Sequence, residues 1–234
     1  MKSIVAIPSL GLRNIFYGSS KKIFCISMQR SGTTSVGKFF RDFGYRWAGW
    51  PADEKNEWSR SWFRGDYESI FSSTGFRLAN AFEDSPWWHP GFFKILFHRF
   101  PKSKFILITR DPEKWFQSMV KHSGGNIVGP SASHCKIYRR ELNYFELLHS
   151  GEIDEHVENQ NFSEKTLKLV GFAKHYKDVY RLHTIEVQDF FNRHAPESLH
   201  VGRLEDPEKW QKLGEFLGVE VPQGYTCHEN ASIE

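Results

Sequence analysis

The stretch KKIFCISMQRSGTTSVGKFFRDFG, residues 21–44, decides how this chain folds. Its apolar run Ile23-Phe24-Cys25-Ile26 is rich in β-branched and aromatic residues and predicts a strand buried on both faces. A polar turn follows, Ser27-Met28-Gln29-Arg30-Ser31-Gly32. Val36, Phe39, Phe40 and Phe43 then recur at helical spacing, and Gly44 closes the helix. Strand, tight turn and helix N-terminus aim several backbone N–H groups and a helix dipole at one point, which is where an anion binds.

The turn also says which kind of anion. An ATP or GTP loop reads G-x-x-x-x-G-K-[ST], with the lysine on the outer phosphates and the hydroxyl on magnesium. Here Ser27 stands at the first glycine, Gly32 and Thr34 keep the register, and Thr33 occupies the lysine position. The cation has moved into the loop as Arg30. A phosphate cradle without that lysine suits the terminal phosphoryl of a magnesium nucleotide poorly.

Working outward, 234 residues fit one domain with a sizeable core. The charged fraction of 25% and hydrophobic fraction of 39% are those of a water-soluble globule. Eight tryptophans point to aromatic-lined surfaces as well as core. A net charge of +3 suits a small polyanionic ligand and is too weak to argue for nucleic acid. Cys25, Cys135 and Cys227 have no close pairing, which favours a reducing compartment without disulfides or zinc. Pro8, Gly11 and Arg13 interrupt any apolar core of a leader, so we expect no signal peptide, no membrane span and a cytoplasmic location.

Residues 1–20 read as a lead-in with an edge strand at 4–7. The tryptophan-rich stretch 45–74 predicts a loop and one or two short helices, with most of its tryptophans in the core and a minority free to wall an acceptor pocket. Residues 75–82 form an apolar strand candidate ending at Glu83-Asp84-Ser85-Pro86. Phe93, Leu96, Phe97 and Phe100 make one stripe of a helix over 92–100, and 105–109 is the clearest strand in the chain. Strands separated by helix-length segments predict a three-layer α/β/α fold around a parallel sheet, like that of the P-loop nucleotide-binding proteins.

Strand 105–109 runs into Arg110-Asp111-Pro112, and Ser118 lies two helical turns further on. Ligands of open α/β sheets gather at the carboxyl ends of strands, and Pro112 suits a first helical turn. The planar fork of Arg110 and the Ser118 hydroxyl can clamp one phosphate. Alone, Arg110 would read as a surface residue pairing with Asp111; a second half-site in the right order changes that reading.

Arg30-Ser31-Gly32-Thr33-Thr34 resembles the phosphosulfate-binding loop of the sulfotransferases, which use 3′-phosphoadenosine 5′-phosphosulfate (PAPS). Arg110-Asp111-Pro112 with Ser118 resembles their 3′-phosphate site. Similarity covers most of 21–230, including the run from Glu205 through Trp210 to Pro222, but only the two phosphate motifs are specific. The resemblance implies in-line transfer of a sulfuryl group from PAPS to a hydroxyl or amine of a small-molecule, lipid or carbohydrate acceptor, without metal. Arg30 and the amides of Ser31, Gly32, Thr33, Thr34 and Ser35 would stabilise charge on the bridging oxygen, with the Thr33 and Thr34 hydroxyls on the 5′-phosphate. Cytosolic members carry a histidine base two residues before a proline, which matches Asp84; other branches use a glutamate, which keeps Glu83 in play. Only one of the two can face the site from a strand end. Asp84 could instead cap the following segment.

The chain also departs from the cytosolic pattern. Arg30 replaces a lysine, Ser35 stands where a tryptophan stacks on adenine, and no R-K-G element follows near the C-terminus, which leaves Arg203 as a substitute. Residues 121–171 read as a variable insert, with a loop through Gly124, Gly125 and Pro130 able to cover an acceptor mouth and a solvated acidic linker at 151–161. Residues 162–192 predict a long helix burying Leu169, Phe172, Tyr176, Val179, Leu182 and Val187. His175 and His183 on it lack partners at metal-ligand spacing. A strand at 198–202 and a helix at 206–217 complete the chain. Two other readings stand beside this one: a P-loop kinase or nucleotide hydrolase, and a non-catalytic protein that binds PAPS or phosphate. The sequence names neither acceptor nor oligomeric state.

Overall fold

The computed structural model describes residues 21–151 and 168–227. The expected strand at 4–7, most of the 151–161 linker and the 162–167 start of the long helix lie outside the described residues. In chain order the elements are β1 (Ile23–Cys25), α1 (Thr33–Asp42), β2 (Trp47–Ala48), α2 (Trp50–Asn56), α3 (Trp58–Arg64), α4 (Tyr67–Ser72), α5 (Thr74–Leu78) and β3 (Ala81–Phe82). They continue with α6 (Phe92–Arg99), β4 (Lys104–Thr109), α7 (Pro112–Ser123), α8 (Ser131–Ile137), α9 (Glu141–His149), α10 (Ala173–His194), β5 (Leu199–Arg203) and α11 (Lys209–Leu217).

The five strands form one parallel sheet in the order β2-β3-β1-β4-β5. Side chains alternate across it. Phe24, Phe105 and Leu107 face a core shared with Trp58, Trp87, Trp115, Tyr176 and Phe191, whereas Cys25, Ile106 and Ile108 face Val36, Phe39, Phe40, Trp210 and Leu213 of α1 and α11. The sheet is therefore flanked by helices on both sides, as the strand-and-helix pattern requires. The high aromatic content goes largely into the first core, where Phe24 lies 5.1 Å from Phe82 and 5.6 Å from Phe105, and Phe82 lies 4.7 Å from Trp87. From β1 the chain runs out to β2 and β3 on one side, then crosses to β4 and β5 on the other. That reversal opens a crevice at the carboxyl ends of β1 and β4.

Several local expectations need correction. Residues 75–82 are not one strand: Thr74–Leu78 is helical, started by Ser73, whose Oγ accepts from the Phe76 amide, and only Ala81–Phe82 joins the sheet. The 45–74 stretch holds an edge strand, Trp47–Ala48, as well as helices. Trp58 and Trp62 are core, while Trp50 is 49% exposed. Residues 121–151 contain the short helices α8 and α9 beyond the end of α7. On α10 the buried face carries Tyr180, His183 and Phe191, and Leu182 is 36% exposed rather than core. The two histidines in question are held by backbone carbonyls, His175 by Tyr138 at 2.7 Å and His183 by Ile26 at 2.8 Å. Cys25, Cys135 and Cys227 are buried free thiols. Among the described residues no helix is long and apolar enough to cross a membrane.

Candidate active site

The loop after β1 is built by contacts with the neighbouring strand. Ser27 is buried and its Oγ accepts from the Ile108 amide at 2.7 Å, so this residue ties β1 to β4 and its side chain does not face the turn. The chain then bends through Arg30 at φ 65° and Gly32 at φ 89°. Gly32 directly precedes α1 at φ 89°, which favours glycine, and a Cβ there would stand 2.6 Å from Leu204 Cδ1, a side-chain end that would have to move. The Thr33 and Thr34 amides that open α1 have no intrahelical acceptor and can meet an anion. Contrary to the expectation for residues 31 and 35, the Ser31 amide donates to the Met28 carbonyl at 3.2 Å and the Ser35 amide to the Gly32 carbonyl at 3.1 Å. Thr33 and Ser35 are buried and Thr34 is partly exposed in that first turn.

Arg110 leaves the end of β4, and α7 starts at Pro112 with the Asp111 carboxylate accepting from the Glu113 and Lys114 amides at 3.0 Å. Asp111 is thus a helix cap and not the partner of Arg110. This helix brings Ser118 back over the first loop. Arg30 Nε donates to Ser118 Oγ at 3.2 Å, and Arg110 Nη1 donates to the Arg30 carbonyl at 3.4 Å. The two arginine motifs therefore meet beyond the carboxyl ends of β1 and β4. Burial, and next the Arg110 guanidinium, lower the Arg30 pKa from its usual value. Arg110 Nε is buried without a hydrogen-bond acceptor and faces Glu205 Oε1 at 3.8 Å. Arg30 and Arg110 thus sit close enough for the charge of one to act on the other, with the Glu205 carboxylate also beside Arg110. Arg203 ends β5 with its side chain exposed, and the residue of that turn that meets Arg110 is Glu205.

Glu83 and Asp84 follow β3 and point differently. Glu83 is buried below the crevice; a Cβ at Gly37 would lie 2.8 Å from its Oε1 and 2.9 Å from Trp47 Nε1. Burial, and then the neighbouring Asp84 charge, push its carboxyl up to about 8. Asp84 adopts φ 71°, a left-handed conformation that aspartate tolerates, and its Oδ1 accepts from the Ser85 amide at 2.8 Å. No helix begins within the next turn, since α6 starts at Phe92. Burial is the chief cause of the raised Asp84 pKa, opposed first by the hydrogen bond from the Ser85 amide and, further down, by the charge of Arg30.

Sequence reading missed the groups that join the two half-sites. Tyr180 of α10 accepts from the Arg110 amide at 2.7 Å and lies 3.4 Å from Ser31 Oγ. Trp115 of α7 donates to the Gln29 carbonyl at 2.8 Å and stacks on Tyr180, and Gln29 donates to the Tyr138 hydroxyl at 2.6 Å. Tyr180 does fall on the apolar stripe of its helix, but a stripe says nothing about what a hydroxyl will meet. Among the described residues, no group of three or more His, Cys, Asp or Glu side chains could hold a metal ion.

A family model described as a sulfotransferase domain matches residues 22–233. Among solved structures, a sulfotransferase from Alicyclobacillus acidocaldarius aligns with a TM-score of 0.47 and 13% sequence identity, covering 92% of this chain and 86% of that one. No curated protein matches the chain in sequence.

Proposed function

This chain belongs to the sulfotransferase domain family, and from that premise we propose that it transfers the sulfuryl group of PAPS to a hydroxyl or amine of a small-molecule, lipid or carbohydrate acceptor. The observation that carries the donor assignment is the convergence of Arg30, Arg110 and Ser118 on one crevice, through bonds of 3.2 and 3.4 Å. PAPS has a phosphosulfate at one end of an adenosine and a 3′-phosphate at the other, and two adjoining cationic half-sites match that charge pattern. The same reading takes the chain as one sulfotransferase-like domain.

In this reading the amides of Gly32, Thr33 and Thr34 and the Thr33 and Thr34 hydroxyls hold the 5′-phosphate, and Arg110 and Ser118 hold the 3′-phosphate; the Ser31 and Ser35 amides are donated to the Met28 and Gly32 carbonyls. Asp84 accepts the acceptor's proton as the new O–S or N–S bond forms. The S–O bond to the 5′-phosphate breaks in line with it, and its electron pair stays on the departing phosphate oxygen. Arg30 and the helix dipole neutralise that charge, so the transfer needs no metal. Glu83 is left as a buried, protonated support. The test compares turnover of sulfur-labelled PAPS without added metal against ATP turnover with magnesium, across an acceptor panel. Labelled product from PAPS alone supports the assignment, and ATP hydrolysis alone overturns it.

A further inference from the structure

We infer that Tyr180 is a positioning residue that fixes the spacing between the two phosphate half-sites, and that it does so without touching the nucleotide. This rests on the donor reading above and adds to it how two separate anion sites come to act as one.

Tyr180 is 4% exposed, and its hydroxyl is used within the protein. It accepts from the Arg110 amide at 2.7 Å, the first amide beyond the end of β4, and meets Ser31 Oγ at 3.4 Å. One oxygen thus bridges the residue that begins the 3′-phosphate motif and the loop that begins the 5′-phosphate motif. The ring is braced as well: it stacks on Trp115 at 4.5 Å and 25°, and Trp115 in turn pins the Gln29 carbonyl at 2.8 Å. Without this brace, and beyond the β1–β4 pairing and the Ser27 bond to the Ile108 amide, the loops themselves would meet through the partly buried Arg30 and Arg110 side chains. A ligand with two anchors gains from the second only if the anchors are held at its own span. Loss of the hydroxyl should leave each anchor able to bind a phosphate while removing much of the benefit of holding both together.

The test measures dissociation constants by calorimetry for adenosine 3′,5′-bisphosphate and adenosine 5′-monophosphate, on wild type and on Tyr180→Phe, which keeps the ring and its stacking. We expect the monophosphate to bind within about 2-fold of wild type and the bisphosphate to weaken by about 5–10-fold, the size of one lost neutral hydrogen bond. The advantage of the second phosphate then shrinks by the same factor. Equal weakening of both ligands, or an unchanged ratio, overturns the inference and leaves the donor reading in place. A wild-type protein that binds both ligands equally overturns the donor reading and the inference with it. If Tyr180→Phe does not fold, the same ratio is read on Trp115→Phe, which removes the N–H donated to Gln29; a smaller ratio supports the brace and an unchanged one overturns it.

Discussion

Arg30 Nε donates to Ser118 Oγ at 3.2 Å across 88 residues of sequence. The first residue belongs to the loop after β1, the second to α7 after β4, and their contact brings two distant sequence motifs side by side. If Arg30 stabilises the leaving oxygen, Arg30→Ala should lower kcat by about 10²–10³ while the protein stays folded. Ser118→Ala, which removes a neutral partner, should raise KM for PAPS by about 5–10-fold with a smaller effect on kcat. Steady-state kinetics on the two variants checks both.

Arg110 carries a buried, unsatisfied Nε that faces Glu205. Arg110→Ala should weaken adenosine 3′,5′-bisphosphate by about 10–10²-fold and leave adenosine 5′-monophosphate nearly unchanged, because a charge-assisted bond to one phosphate is lost. Arg110→Lys should recover only part of that, since a point charge cannot reproduce the planar fork. Calorimetry with both nucleotides reads the difference.

Burial holds the Asp84 carboxyl above its ordinary pKa. A general base must be ionised, so kcat should fall as pH drops through that raised value, starting at a higher pH than a solvent-exposed aspartate would give. Asp84→Asn should abolish transfer yet still bind adenosine 3′,5′-bisphosphate. A kcat profile that stays flat far into the acid range, or an active Asn variant, would remove Asp84 from this role.

Glu83 supplies a stability test. Its folded value, about 8, lies above the 4.5 of the free side chain, so folding takes up a proton. Stability from this group is complete below the free value and is lost as pH rises through the folded one. Glu83→Gln, which cannot ionise, should therefore melt at least a few degrees above wild type near about pH 9 and show little of that gain near about pH 5. Thermal melts at the two pH values decide it. A gain that is the same at both would mean that Glu83 is not buried as a neutral acid.

The β1–loop–α1 unit was legible because its signals are local: an apolar run, a turn with Gly32 and a helical stripe lie within one short segment. The Arg110 and Pro112 junction was legible for the same reason. What misled was residues 75–82. A short run of Phe, Leu and Ala fits helix and strand equally well, and the Ser73 cap together with tertiary packing decided for helix. Strands β2 and β3, two residues each, carry too little pattern to register. Asp84 leaves the strand alternation through a φ of 71°, which no alternation rule anticipates. Tyr180 and Trp115 were not assigned to the site because their partners, Ser31 and Gln29, lie 149 and 86 residues away.

Whether one nucleotide spans the two arginine half-sites is decided by a crystal structure with adenosine 3′,5′-bisphosphate. We expect the 5′-phosphate on the amides at the start of α1, beside Arg30, and the 3′-phosphate on Arg110 and Ser118 of the same protein molecule. A nucleotide that leaves either arginine uncontacted, or whose phosphates lie on another face of the protein, would contradict this assignment.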